Sequence, residues 1–205
     1  MRLHIVSAVI LAACSFVSGA EAQENNLILS FGGKRLSIPQ AYFDKGENYN
    51  FTPDVEDPDS IFLRIYFPDF GTSPVRPRPD GGHGDNLRIQ LSPRPTSLNI
   101  RYASIAPARS DGPLQERHNL KLFTTEPGRN GADLGGKPKE IYFSHQDGAI
   151  TNLIICTPGY PSPPCKQFIS TDDFQFELTY HMRSLSDWQT IEQRVRAIVE
   201  GFVLK

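Results

Sequence analysis

The apolar pattern of this chain changes period once, near its C-terminus, and that change constrains the fold more than any other feature. Phe174, Phe176, Leu178 and Tyr180 alternate with Gln175, Glu177 and Thr179, the period-2 signature of a strand with one buried face. A few residues later Trp188, Ile191, Val195, Ile198, Val199 and Phe202 fall at offsets 0, 3, 7, 10, 11 and 14, which is one stripe of an α-helix. Ser186-Asp187-Trp188-Gln189 reads as a Ser-x-x-Gln capping box for it, with Asp187 favourable to the helix dipole. A helix with one apolar stripe must bury it on another element, and every other strong signal in the chain is β.

Leu27 to Phe31 and Lys34 to Ile38 flank Gly32-Gly33, a hairpin signal, and Pro39 ends the second run. Asp44 to Ser60 is polar and reads as loop. Ile61 to Phe67 and Leu87 to Leu91 alternate cleanly, and Leu98 to Ser104 reads as a weaker alternating strand. Between them Gly71 to Asp85 is rich in glycine and proline, and Pro107 to Arg117 reads as irregular. His118 to Thr124 reads as a strand with Leu120 and Leu122 inward, followed by a glycine-rich loop from Glu126 to Pro138. Ile141 to Ser144 and Ile150 to Cys156 flank Gln146-Asp147-Gly148, a second hairpin. Gln167 to Ile169 and Phe174 to Met182 flank a third turn at Ser170 to Asp173. The predicted architecture is α+β: a mainly antiparallel meandering sheet, a C-terminal amphipathic helix packed on it, and one disulfide.

The N-terminus reads as an export signal. Arg2 precedes an apolar run from Ile5 to Val17, and Ala20-Glu21-Ala22 fits signal-peptidase cleavage before Gln23. Residues 1–22 are then the signal and 23–205 a single domain in the periplasm. Leu11-Ala12-Ala13-Cys14 also matches a lipobox, which would make residues 1–13 the signal, lipidate Cys14 and place the chain on the outer membrane. Either route leaves Cys156 and Cys165 as an even pair in an oxidising compartment, and the proline-rich segment between them reads as a turn that a disulfide closes.

No nucleophile-elbow motif, zinc-hydrolase motif or calcium loop occurs, so the sequence shows no catalytic site, metal or cofactor. A net charge of −2 gives no sign of a nucleic-acid partner, and a lipid anchor is the one membrane link in view. The candidate partner-binding residues lie in loops. Arg76 and Arg78 alternate with prolines, Asp80, His83 and Asp85 share a glycine-rich cluster, and Arg94 sits between two prolines. Arginines stiffened by proline lose little entropy when they dock on a carboxylate or phosphate. Tyr160, on the turn between the cysteines, reads either as a contact anchor or as a groove filler.

Several short motifs run through the chain: Ile38-Pro39-x-x-Tyr42, Tyr66-x-Pro68-Asp69-Phe70, Cys156-x-Pro158-Gly159 with Pro163-Pro164-Cys165, and Tyr180 through Leu185 and Asp187-Trp188 to Ile191. Together they resemble a group of uncharacterised proteobacterial envelope proteins encoded beside type VI secretion components, some of them immunity-like. The resemblance implies a non-enzymatic periplasmic inhibitor of a secreted toxin or envelope hydrolase. Two other functions fit the residues: a structural or assembly lipoprotein anchored at Cys14, and a hydrolase built on Asp80, His83 and Asp85.

Overall fold

A computed structural model of the protein describes residues 26–44, 58–73, 85–127 and 137–205. The export signal, Cys14 and the segment carrying Arg76, Arg78, Asp80 and His83 lie outside the described residues. Ten strands and two helices follow in chain order: β1 Asn26–Phe31, β2 Lys34–Pro39, β3 Ile61–Tyr66, β4 Asn86–Ser92, α1 Leu98–Ile105, β5 Gln115–Arg117, β6 Leu120–Thr124, β7 Glu140–Gln146, β8 Ala149–Cys156, β9 Pro164–Ser170, β10 Gln175–His181 and α2 Trp188–Phe202. Strands β3 to β10 form one eight-stranded antiparallel sheet in the order β3-β4-β10-β9-β8-β7-β6-β5, and β1 pairs with β2 apart from it.

The sheet is covered differently on its two faces. On one face Ile61, Ile89, Phe176, Leu178 and Ile169 meet Phe31, Leu36 and Ile38 of the hairpin and Trp188, Ile191, Val195 and Val199 of α2 in a single core. Period-2 alternation along the strands and the 3.6-residue stripe of the helix are thus two halves of one apolar surface. On the other face α1 covers only one half of the sheet. Leu98 packs there with Phe123, Ile141, Phe143, Leu153 and Phe168, backed by Tyr102 and Ile105. None of the helices among the described residues is long and apolar enough to cross a membrane.

Turn chemistry sets the hairpins. Gly32 and Gly33 have φ of +59° and +77°, and a Cβ at Gly32 would stand 3.0 Å from the Cβ of Pro93, so this turn needs glycine both for backbone and for space. Asp147 and Gly148 repeat the geometry at φ +51° and +80°. His118 and Asn119 do so without any glycine, at +55° and +61°. They join β5, which lies in the stretch that reads as irregular, to β6, and they stand where the sequence reads as the start of a strand, because neither residue announces a two-residue turn.

Two local expectations are corrected. Leu98 to Ser104 is helical, not extended. Leu98, Tyr102 and Ile105 lie one above another on the sheet, while Ile100, which alternation would bury, is 66% exposed. The capping box at Ser186 does not form either. The chain enters α2 through a 3-10 turn, Met182–Asp187, whose Leu185 carbonyl takes the N–H of Trp188, and Ser186 hydrogen-bonds the Asp187 carboxylate instead of a helix N–H.

Candidate functional site

Cys156 and Cys165 are bonded, as the even pair implied. They are direct register partners on β8 and β9, with Cα atoms 4.0 Å apart and no exposed surface. The Thr157 N–H donates to the Pro164 carbonyl at 2.9 Å, closing the turn above the disulfide. Tyr160 projects from that turn at 39% exposure, with the Lys137 ammonium 3.8 Å from its ring centre and also donating to the Gly159 carbonyl at 2.6 Å. Tyr160 is therefore held in place and still presents an aromatic edge.

Asp85 lies at this same end of the sheet, one residue before β4, and its carboxylate accepts from Arg183 at 2.9 Å. Arg94 lies at the other end. It is exposed, two residues beyond β4, next to the Pro93 that packs on the Gly32 turn. The length of β4, about 20 Å at 3.3 Å per residue, separates Arg94 from Asp85. The described candidates therefore fall at two opposite rims and not in one cluster.

The polar grouping that the strands themselves assemble is one that sequence reasoning missed. Asp44, only 1% exposed, accepts from Arg64 of β3 at 2.5 Å and from Arg88 of β4 at 3.2 Å. Arg64 and Arg88 are register neighbours, and the ladder continues through Thr179 of β10 to Lys166 of β9. One row along, Phe62, Gln90 and Glu177 stand side by side, and Glu177 pairs with Lys166. These side chains point to the face opposite the main core, on the half that α1 does not cover. Phe62, Arg88, Gln90, Lys166, Glu177 and Thr179 line a shallow depression there of about 260 Å³. Burial alone would lower the Arg64 guanidinium, but the hydrogen bond and charge of Asp44 more than offset it and hold the group above its ordinary value.

A second polar chain runs beneath α2. The Tyr180 hydroxyl donates to Gln167 at 3.1 Å, Gln167 donates to Glu192 at 2.9 Å, and Arg196 pairs with Glu192 at 2.9 Å. Burial, and then the nearby Glu192 charge, push the Tyr180 hydroxyl far above its ordinary range, so it acts as a fixed donor. A groove of about 440 Å³ along α2, lined by Tyr42, Asp69, Phe70, Arg194 and Ile198, mixes aromatic and charged groups. Among the described residues no three His, Cys, Asp or Glu side chains come close enough to hold a metal ion. What the arrangement offers is recognition chemistry: charge-assisted donors on a braced sheet.

The fold matches two solved structures. One is Smlt3025, an immunity protein of the Stenotrophomonas maltophilia type IV secretion system, at 16% identity and a TM-score of 0.60, covering 89% of this chain and 94% of that one. The other is FrpD, the iron-regulated outer membrane lipoprotein of Neisseria meningitidis, at 14% identity and a TM-score of 0.50, covering 88% of this chain and 93% of that one. No protein-family model and no curated protein matches the sequence. Both structures come from secretion or envelope settings, and each is aligned along nearly its full length. The secretion system named for Smlt3025 is type IV, so the likeness gives no support to a type VI setting.

Proposed function

We propose that this chain is an exported, non-catalytic binding protein of the immunity type, which neutralises a secreted toxin or envelope hydrolase by binding it. The observation that carries the proposal is the likeness to Smlt3025 along 89% of the chain, matching the immunity-like resemblance of the short motifs. The build of the fold supports it. A disulfide-braced, two-layer platform with a polar half-face loses little entropy on docking, which suits an inhibitor that must act without turnover. In this reading residues 1–22 direct export and residues 23–205 form the periplasmic inhibitor. Co-expression tests it. A secreted toxin encoded beside this chain, directed to the periplasm, should kill cells alone and spare them when the chain is present. Killing undiminished by the chain would end the proposal.

A second reading keeps the binding role but tethers it to the outer membrane. The likeness to the lipoprotein FrpD and the Leu11-Ala12-Ala13-Cys14 lipobox favour it. Palmitate labelling that disappears in Cys14→Ser supports the anchor, and an unlabelled wild-type chain removes it.

A further inference from the structure

We infer that the outer edge of β1 is a self-association site, where a second copy of this chain adds its own β1 in antiparallel register about a twofold axis at Ile28. The inference stands apart from the inhibitor reading, because it concerns how the chain pairs with itself.

The hairpin turn fixes which backbone groups of β1 face outward. Gly32 and Gly33 both have positive φ, the type I′ geometry of a two-residue connection, so the flanking Phe31 and Lys34 exchange backbone hydrogen bonds. The pattern alternates from there. Leu29 with Leu36 and Leu27 with Ile38 bond inside the hairpin, while the N–H and C=O of Ser30, Ile28 and Asn26 point away from β2. The partner strand confirms the phase. Arg35, opposite Ser30, turns its carbonyl away from β1 and accepts the Leu204 N–H there at 2.9 Å. The outward groups of β1 take no backbone partner among the described residues.

The other strand edges are closed or blunted. Val203 and Leu204 flank β2. Phe43 and Asp44 lie along β3, and Gly71 covers its end. β5 is three residues long and carries Glu116 and Arg117. Cover, shortness and charge are the devices that keep an edge from pairing. β1 has none of them. It is six residues long, Asn26-Leu27-Ile28-Leu29-Ser30-Phe31, without charge, proline or a break in its register, and Ile28 is 53% exposed.

The outward groups are also self-complementary, which selects a second copy as the occupant. A twofold axis at Ile28 sets Ile28 against Ile28 and Asn26 against Ser30, and each pair exchanges two hydrogen bonds. A centre one residue either way sets Ser30 or Asn26 beyond the end of the partner strand. The side chains agree with this register. On the outer face the two exposed isoleucines meet, with Cα atoms about 5.5 Å apart. On the other face half-buried Leu27 meets Leu29 of the second copy. No like charges oppose each other, because the strand has none.

Sedimentation of residues 23–205 over a wide concentration range tests the inference. The wild type should pass from monomer to dimer as concentration rises. Ile28→Lys, at an exposed position, sets two ammonium groups together at the axis and should lose the dimer over the same range. Cross-linking checks the register with a neutral residue. Under mild oxidation Ile28→Cys should yield a disulfide-linked dimer, because opposed positions meet the Cα spacing that a disulfide needs. Ser30→Cys should link far less, since its twin lies about 13 Å along the ladder. A wild type that stays monomeric throughout, a dimer that persists in Ile28→Lys, or Ser30→Cys linking as fast as Ile28→Cys would overturn the inference. So would a chain that is monomeric alone and whose Ile28 amide resonance shifts only when a secreted toxin is added, which would give the edge to a foreign strand.

Discussion

Gln167, on a central strand of the sheet, donates a 2.9 Å hydrogen bond to Glu192 on the helix that covers it. The amide is 1% exposed and also accepts from the Tyr180 hydroxyl, so one side chain ties two strands to α2. Apolar packing alone lets a helix slide along a sheet, whereas a buried polar link with few alternative partners selects one position. Gln167→Leu should strand the Tyr180 hydroxyl and cost about 2 kcal/mol, since each buried group left unsatisfied costs about 1–3 kcal/mol. Glu192→Gln keeps an acceptor and should cost less than about 1 kcal/mol by the same reasoning. Urea unfolding of the two variants checks the order, and equal losses would show that the link does not fix the helix.

Asp44 is the second buried polar group whose loss has a definite consequence. Asp44→Ala leaves Arg64 and Arg88 facing each other across β3 and β4 without their shared carboxylate. Because both arginines are about a third exposed, water offsets part of the loss, and a destabilisation of about 1–3 kcal/mol is expected. Replacing Arg64 as well, in Asp44→Ala with Arg64→Leu, should recover part of it by removing one of the facing charges. A double variant less stable than the single one would contradict the ion-pair account.

Tyr142 links stability to alkaline pH. Burial first, and then the hydrogen bond its hydroxyl donates to Glu140, push it up to about 12, with Arg117 opposing the shift. Its ordinary value is about 10, so the unfolded chain loses this proton before the folded chain does. The contribution is therefore complete below about pH 10 and lost as pH rises through about 12. Unfolding midpoints compared at about pH 9 and about pH 11 should fall for the wild type and fall less for Tyr142→Phe. An identical fall in both would assign the alkaline loss elsewhere.

Removing the disulfide should weaken the fold without changing its topology. The Cys156→Ala, Cys165→Ala double variant should lose about 2–3 kcal/mol, the value the chain-entropy model gives for so short a loop. Because Tyr160 stands on the turn that the bridge closes, amide exchange should rise first at residues 157–163. Protection unchanged there would mean that the Lys137 contacts, and not the bridge, hold the turn.

What the sequence revealed was local. Strands β1 to β4 and β6 to β10, the glycine-containing turns, the disulfide and the buried stripe of α2 all follow from patterns within about a dozen residues. What it concealed was of two kinds. His118-Asn119 and Leu98 to Ile105 carry weak local signals that tertiary contacts override: Trp188 donates to the His118 carbonyl at 3.0 Å, and Ile150 donates to Asn99 at 2.7 Å. The grouping of Asp44 with Arg64 and Arg88 was hidden for another reason. Arg64 and Arg88 are legible as outward positions on two strands, but their adjacency, and that of β4 to β10, is a matter of strand order. Asp44 lies 44 residues before Arg88, and no local pattern reports a contact of that span.

The most direct measurement of the central claim is calorimetric titration of residues 23–205 with each candidate secreted toxin or hydrolase from the chain's own gene neighbourhood, followed by an assay of that enzyme in the mixture. A stoichiometric complex in which the toxin is silenced is the expected result. A saturating excess of the chain that neither binds the toxin nor slows it would contradict the claim.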